Sequence, residues 1–174
     1  MKTQTRLALS ALLLVGCDGT RAPAPSPVVQ AFYAIRVGSS MTGAPTAAEL
    51  ERIAPFLSDT LTALLKAART LHDREAQQHP DDKPPFAEGD LFSSLFEGAD
   101  SFTTVPDSVA ARNQRVVVMF MYKRGGKPYT WTDTVIIAKK KRHDVIDDIA
   151  YGGAGEFGNH GQLRATLERA LRSK

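Results

Sequence analysis

The sequence predicts an α+β domain in which helices pack on one face of an antiparallel sheet. Two observations carry this. Apolar residues recur at helical spacing through the first half of the chain, and beyond about residue 89 the period changes to two. The helical segments also precede a meander of strands, the order expected when helices gather on one face of a sheet.

Val28 to Val37 reads as a helix, with Val29, Phe32, Tyr33 and Val37 near one face. Ser39 to Pro45 is a loop of small residues. Ala47 to Ala54 is a short helix that Pro55 interrupts, because proline brings no amide N–H to the ladder. Ser58 is placed to cap the next helix, where Leu61, Leu64, Leu65, Ala68 and Leu71 form an amphipathic stripe. His79 to Gly89, with Pro80, Pro84 and Pro85, breaks the pattern. Gln114 to Lys123 then reads as a strand, Gly125-Gly126 as a hairpin turn, and Tyr129 to Lys139 as the returning strand. His143 to Tyr151 is a further strand, Ser101 to Val105 adds another, and Gly161 to Arg172 closes the chain as a helix with Leu163, Leu167, Ala170 and Leu171 inward.

The 174 residues divide into three parts: 1–16, 17–27 and a single domain over 28–174. Residues 1–16 have the form of a secretory signal. Lys2 and Arg6 precede an apolar stretch from Leu7 to Val15, broken only by Ser10. Its nine residues are about half of the roughly 20 that a membrane-spanning helix needs. Leu14-Val15-Gly16-Cys17 then has the form of a lipobox, so cleavage before Cys17 and lipidation of Cys17 are expected. Each buried methylene of such a lipid contributes about 0.8 kcal/mol, and more than one chain is needed for stable anchoring. Cys17 is the only cysteine, which leaves the mature domain without a disulfide, a catalytic thiol or a thiolate metal ligand. Asp18, directly after it, resembles an inner-membrane retention signal of enteric bacteria. Asp18 to Pro27 holds three prolines at every second position and reads as an extended tether.

Charge excludes little but argues against one class of partner. The whole chain carries +3, yet loss of Lys2 and Arg6 with the signal leaves 20 Lys and Arg against 19 Asp and Glu. A net of about +1 makes the basic pI weak evidence for either nucleic acid or anionic lipid, and no nucleic-acid partner is expected. Gly153-Ala154-Gly155-Glu156-Phe157-Gly158 matches a dinucleotide fingerprint in letters only. A following parallel strand and an acidic residue some 20 positions on are also required, and only 16 residues remain after Gly158. It reads as a glycine-rich turn, so no dinucleotide or other cofactor is expected. His72 and His79 stand two helical turns apart, roughly 10 Å, too far for two ligands of one zinc. His160 reads as a capping or surface residue, and no metal site is expected.

Several segments in order resemble a family of uncharacterised bacterial envelope lipoproteins, the YbjP type. They are Val28-Val29-Gln30-Ala31-Phe32-Tyr33, Pro55-Phe56-Leu57-Ser58-Asp59, Asp90-Leu91-Phe92, Val145-Ile146-Asp147-Asp148-Ile149, Tyr151-Gly152-Gly153 and the Gly161-Gln162-Leu163-Arg164 start of the last helix. The resemblance runs from Val28 to about Leu171. It implies a cone-like fold similar to nuclear transport factor two, with a curved sheet. The family often carries a tryptophan just before the Val-Ile-Asp-Asp segment, where this chain has Asp144.

Four residues form the candidate pocket or structural polar set: Asp147, Asp148, Tyr151 and Arg115. Adjacent strand positions face opposite ways, so one of the two aspartates is expected to turn inward. There it either acts as a general base or receives hydrogen bonds from loop amides or an arginine such as Arg115. Lys139-Lys140-Lys141-Arg142 is a run of four cations at a strand-to-strand turn. It reads either as a contact to anionic headgroups or as a solvated hairpin end that resists edge pairing. The function expected is that of a lipid-anchored, periplasm-facing interaction module for an envelope protein partner. The alternatives left open are a small-molecule binder using the cone interior and an isomerase- or hydrolase-type enzyme.

Overall fold

The computed structural model describes residues 26–105, 107, 109–110, 113–123, 126–153, 155 and 158–173. The signal segment, Cys17, Asp18 and nearly all of the tether lie outside the described residues, as do Gly125 and Ala154, Glu156 and Phe157.

Helix α1 (Pro27–Arg36) starts on a proline at its first position, where the missing N–H is no loss and φ is already helical. It buries Val29, Phe32, Tyr33 and Arg36, the i, i+3, i+4, i+7 stripe of a core-facing helix. Helix α2 (Ala47–Ile53) opens with a reciprocal capping box between Thr46 and Glu49. Pro55 ends it in a single 3-10 turn over Ala54–Phe56. Leu57 then forms a parallel bridge with Ile146, and the Ser58 amide donates to the Ile146 carbonyl at 2.8 Å. Ser58 also caps α3 (Asp59–Gln78), its Oγ accepting from the Leu61 amide at 3.1 Å. The four residues from Pro55 to Ser58 thus end one helix, touch the sheet and start the next.

The sheet is a four-stranded antiparallel meander in the order β1 (Ser101–Val105), β2 (Arg115–Tyr122), β3 (Tyr129–Lys140) and β4 (His143–Ala150). It is curved and does not close on itself, with helices packed against it. The fold is α+β, as the change of period predicts. Phe102, Phe120 and Trp131 lie side by side across three strands, and Thr104, Val118 and Asp133 form the next row. These rows share the covered face, since directly paired residues point the same way. A β-bulge between Ile136 and Ile137 shifts the β3–β4 register: Ile136 pairs with Asp148 and Ile137 with Ile146, leaving Asp147 as the extra residue.

The covered face is filled. Phe32, Tyr33 and Phe92 from the helix layer and its loops meet Phe120 and Trp131 from the sheet in edge-on and stacked pairs with centroids 5.0 to 5.4 Å apart. Leu61, Leu65, Val118, Val135, Ile146, Ile149, Leu163 and Leu167 are fully buried around them. Helix α4 (Leu163–Arg172) packs on α3 and β4. It starts two residues later than the sequence suggests, because Gln162 is still extended and bridges Ala150.

Candidate functional site

The densest polar arrangement is one that sequence patterning did not single out. Asp133 stands on the covered face of β3 between Trp131 and Val135 and is 1% exposed. Both of its carboxyl oxygens are used twice. Oδ1 accepts from the Ser94 hydroxyl and from the Gly152 amide at 2.9 Å; Oδ2 accepts from the Ser94 amide at 2.7 Å and from Trp131 Nε1 at 3.3 Å. Ser94 Oγ in turn accepts from the Gly153 amide at 3.3 Å. Gly152 can come this close only because it lacks a side chain: a Cβ there would overlap the Thr132 carbonyl oxygen.

The loop from Gly89 to Gly98 is tied down on every side by the same logic. Asn159 Nδ2 donates to the Asp90 and Ser93 carbonyls, each at 2.7 Å, and the Asn159 amide donates to the Ser94 carbonyl at 2.7 Å. Tyr33 Oη donates to the Phe92 carbonyl at 2.9 Å and Tyr151 Oη to the Leu91 carbonyl at 2.7 Å. Burial raises the pKa of both phenols above the ordinary tyrosine value, and the nearby Asp133 and Asp90 add to the effect. Both therefore stay protonated and act as donors. A buried irregular loop must satisfy its backbone groups by such means.

The chemistry open to this arrangement follows from access. Ser94 is fully buried, and its hydroxyl is already committed to Asp133 and Gly153. A nucleophile has to reach its substrate, and Ser94 has no path to one here. The arrangement locks a loop and the start of the C-terminal segment onto β3.

Beside this lock, Arg36 projects from the end of α1 with its side chain 5% exposed. Nη2 donates to Asp90 Oδ1 at 2.9 Å and to the Met41 carbonyl at 3.2 Å, and the guanidinium lies 4.7 Å from the centre of the Phe92 ring. Its Nε is buried without a partner. Arg36, Met41, Asp90, Phe96, Asp100 and Tyr122 are among the residues lining a cavity of about 390 Å³ at this end of the sheet. Outside the core, an apolar groove of about 460 Å³ runs between α2 and α3 past Leu50, Ala54 and Thr62.

The residues singled out from sequence divide. Asp147 and Asp148 are brought together, but both serve α4. Asp148 Oδ1 accepts from the Arg164 amide at 3.0 Å and the Ile149 amide at 2.8 Å, so it caps the helix in place of Gln162, which makes no side-chain cap. Burial raises the pKa of Asp148, against the two amide hydrogen bonds that lower it. Asp147, on the bulge, pairs with Arg164 at 2.6 Å. The arginine partner is thus Arg164 and not Arg115, which stands exposed at the start of β2 with its Cα opposite Ile136. The bulge is the physical reason: it lets two successive aspartates reach the same helix terminus. Tyr151 belongs to the loop lock.

Of the four cations, Lys139 pairs with Asp144 and Lys140 with Asp59, both at 2.6 Å. Lys141, in the left-handed region at φ 56°, and Arg142 are exposed. His72 Nδ1 lies 3.0 Å from the Pro85 carbonyl, His79 terminates α3, and His160 is exposed. Among the described residues no group of three His, Cys, Asp or Glu is placed to hold a metal ion, and no helix is long and apolar enough to cross a membrane. No protein-family model matches this chain, and no curated protein matches it.

Proposed function

We propose that this chain is a lipid-anchored, periplasm-facing envelope protein whose domain is a non-catalytic interaction module for a protein partner. The observation that carries the reading is the filled covered face. The interior that a cone-type binder or isomerase would use is occupied by Phe32, Tyr33, Phe92, Phe120 and Trp131, and its one central carboxyl group is saturated by four donors. Specificity then has to lie on the surface, where Phe96, Val109, Met119 and Tyr129 are the large apolar residues left exposed among the described residues.

The experiment is photocrosslinking in cells from the full chain, with the crosslinker placed in turn at Phe96, Met119 and Tyr129, and at buried Phe120 as a control. A discrete adduct from a surface position is expected, with the reciprocal crosslink from the captured protein returning this chain. Absence of any adduct from all three surface positions overturns the reading.

A second reading has one observation in its favour. The cavity beside Arg36 has a volume within the range of small-molecule sites. On that reading the ligand sits at the end of the sheet and not inside the cone.

A further inference from the structure

The direction of α1 relates the exposed cations of the β3–β4 turn to the N-terminal segment. Tyr33 rests its ring on Phe102, 5.6 Å between centroids, whereas Gln30 Nε2 donates to Thr104 Oγ1 at 2.9 Å. Residue numbers fall along α1 as they rise along β1, so the two run antiparallel. The start of α1 therefore points toward the end of the sheet where β1 finishes, β2 begins and β3 turns into β4. The chain preceding Ser26 joins the domain on that side. Eight residues lie between Cys17 and Ser26, and the nine Cα-to-Cα steps reach at most about 30 Å.

That end is basic. Arg115, Lys141 and Arg142 are exposed there, and among the described residues none of them has an acidic partner. Lys139 pairs with Asp144 and Lys140 with Asp59, and exposed Asp107, just beyond β1, accepts from the Val109 and Ala110 amides. The far end, where β1 begins and β2 finishes, is mixed: Glu88, Asp90, Glu97 and Asp100 line the cavity there with Arg36, Lys83 pairs with Glu88, and Lys123 and Lys127 are exposed at the β2–β3 turn.

We infer that the β3–β4 turn end of the domain is a membrane-facing surface, with Lys141 and Arg142 contacting the anionic headgroups of a bilayer. The lipid anchor proposed above brings the domain to the membrane; the entry of the short tether beside these cations then sets which end faces it. Cations near an anionic surface are attracted to it. Each of the two free cations contributes about a five-fold preference for anionic over neutral bilayers at moderate salt. The attraction fades beyond about 10 Å at 0.1 M salt, so the turn has to sit close to the surface. A turn that only protects a hairpin end shows no such preference.

The test uses the full chain purified from membranes and returned to vesicles of phosphatidylcholine with or without phosphatidylglycerol. Reductive methylation followed by mass spectrometry reads the accessibility of Lys141, with exposed Lys66 on α3 as the internal reference. Lys141 is expected to be labelled several-fold more slowly on the anionic vesicles, with Lys66 unchanged and the protection lost at high salt. Equal labelling of Lys141 on both vesicles overturns the inference. Flotation on neutral vesicles reads the anchor separately. A chain that fails to float on neutral vesicles, but floats on anionic ones and loses this in the Lys141→Gln/Arg142→Gln variant, removes the anchor and leaves the surface standing.

Discussion

A single buried carboxyl group shows how residue-level physics sets behaviour here. Asp148 is held in low-dielectric surroundings that favour its neutral form, so its folded-state pKa lies above the ordinary value near 3.8. Between those two values the native state binds more protons than the unfolded chain, and stability falls as pH rises through the window. The Asp148→Asn variant keeps the oxygen that caps α4 and removes the titration. Urea unfolding of parent and variant across pH 3 to 7 is expected to show the parent losing stability relative to Asp148→Asn as pH rises; a gap that stays constant contradicts the assignment. Arg36 and Asp90 give a second prediction. A buried ion pair contributes little beyond its desolvation cost, but removing one partner leaves an uncompensated charge, at about 3–5 kcal/mol. Asp90→Ala should therefore be far more damaging than replacing both residues by apolar ones, which a double-mutant cycle measures directly. Arg36 and Asp133 did not stand out in the sequence, although the signals were there. Arg36 lies seven positions after Val29 and four after Phe32, on the apolar stripe of α1, and Asp133 lies on the same alternate positions as Trp131, Val135 and Ile137. A polar residue in phase with a core face marks a satisfied buried group, and period counting that scores only apolar residues passes over it.

At the scale of elements, the sequence was most readable where local chemistry decides the outcome. The Ser58 cap, the Pro55 break and the period-two strands follow from side chains within a few positions of one another, and the observed bounds agree to within one or two residues. What could not be read was long-range: the bulge opposite Ile136, the use of Asp148 as a cap for a helix sixteen residues on, and the anchoring of the Gly89–Gly98 loop by Asn159 and Tyr151. These depend on which segments meet in space, and no periodicity encodes that. The bulge makes the two adjacent aspartates unequal. Losing a helix cap costs about 1 kcal/mol, whereas a partly exposed ion pair is worth about 0–1 kcal/mol. Asp148→Ala should lower the melting temperature by about 2–4 °C for a domain of this size, and Asp147→Ala by less. Equal or reversed shifts in calorimetry would show that the capping role is misassigned. Gly152→Ala belongs at this scale too, because the displaced strand end breaks the Asp133 contact along with the turn. Expression of a cooperatively folded Gly152→Ala chain with parent stability would contradict that close approach.

For the molecule as a whole, three pieces combine: a proposed lipid anchor at Cys17, a proposed membrane-facing end at the β3–β4 turn, and a filled covered sheet face. The anchor predicts that Cys17→Ser moves the protein out of the membrane fraction or leaves the unprocessed precursor; mature-sized protein that stays with membranes in this variant removes the anchor. The interaction reading depends more heavily on the covered face being a finished core. Thermal unfolding of Asp133→Asn tests that most directly. Each carboxyl oxygen of Asp133 faces two donors, so whichever way the asparagine amide turns, its NH₂ group meets donors and leaves them unsatisfied, at about 1–3 kcal/mol each. A melting temperature lowered by several degrees, with Ser94→Ala shifted in the same direction, is the predicted result. An Asp133→Asn chain that melts at or above the parent temperature contradicts it, because functional groups are often held at the expense of stability and their removal relieves that cost.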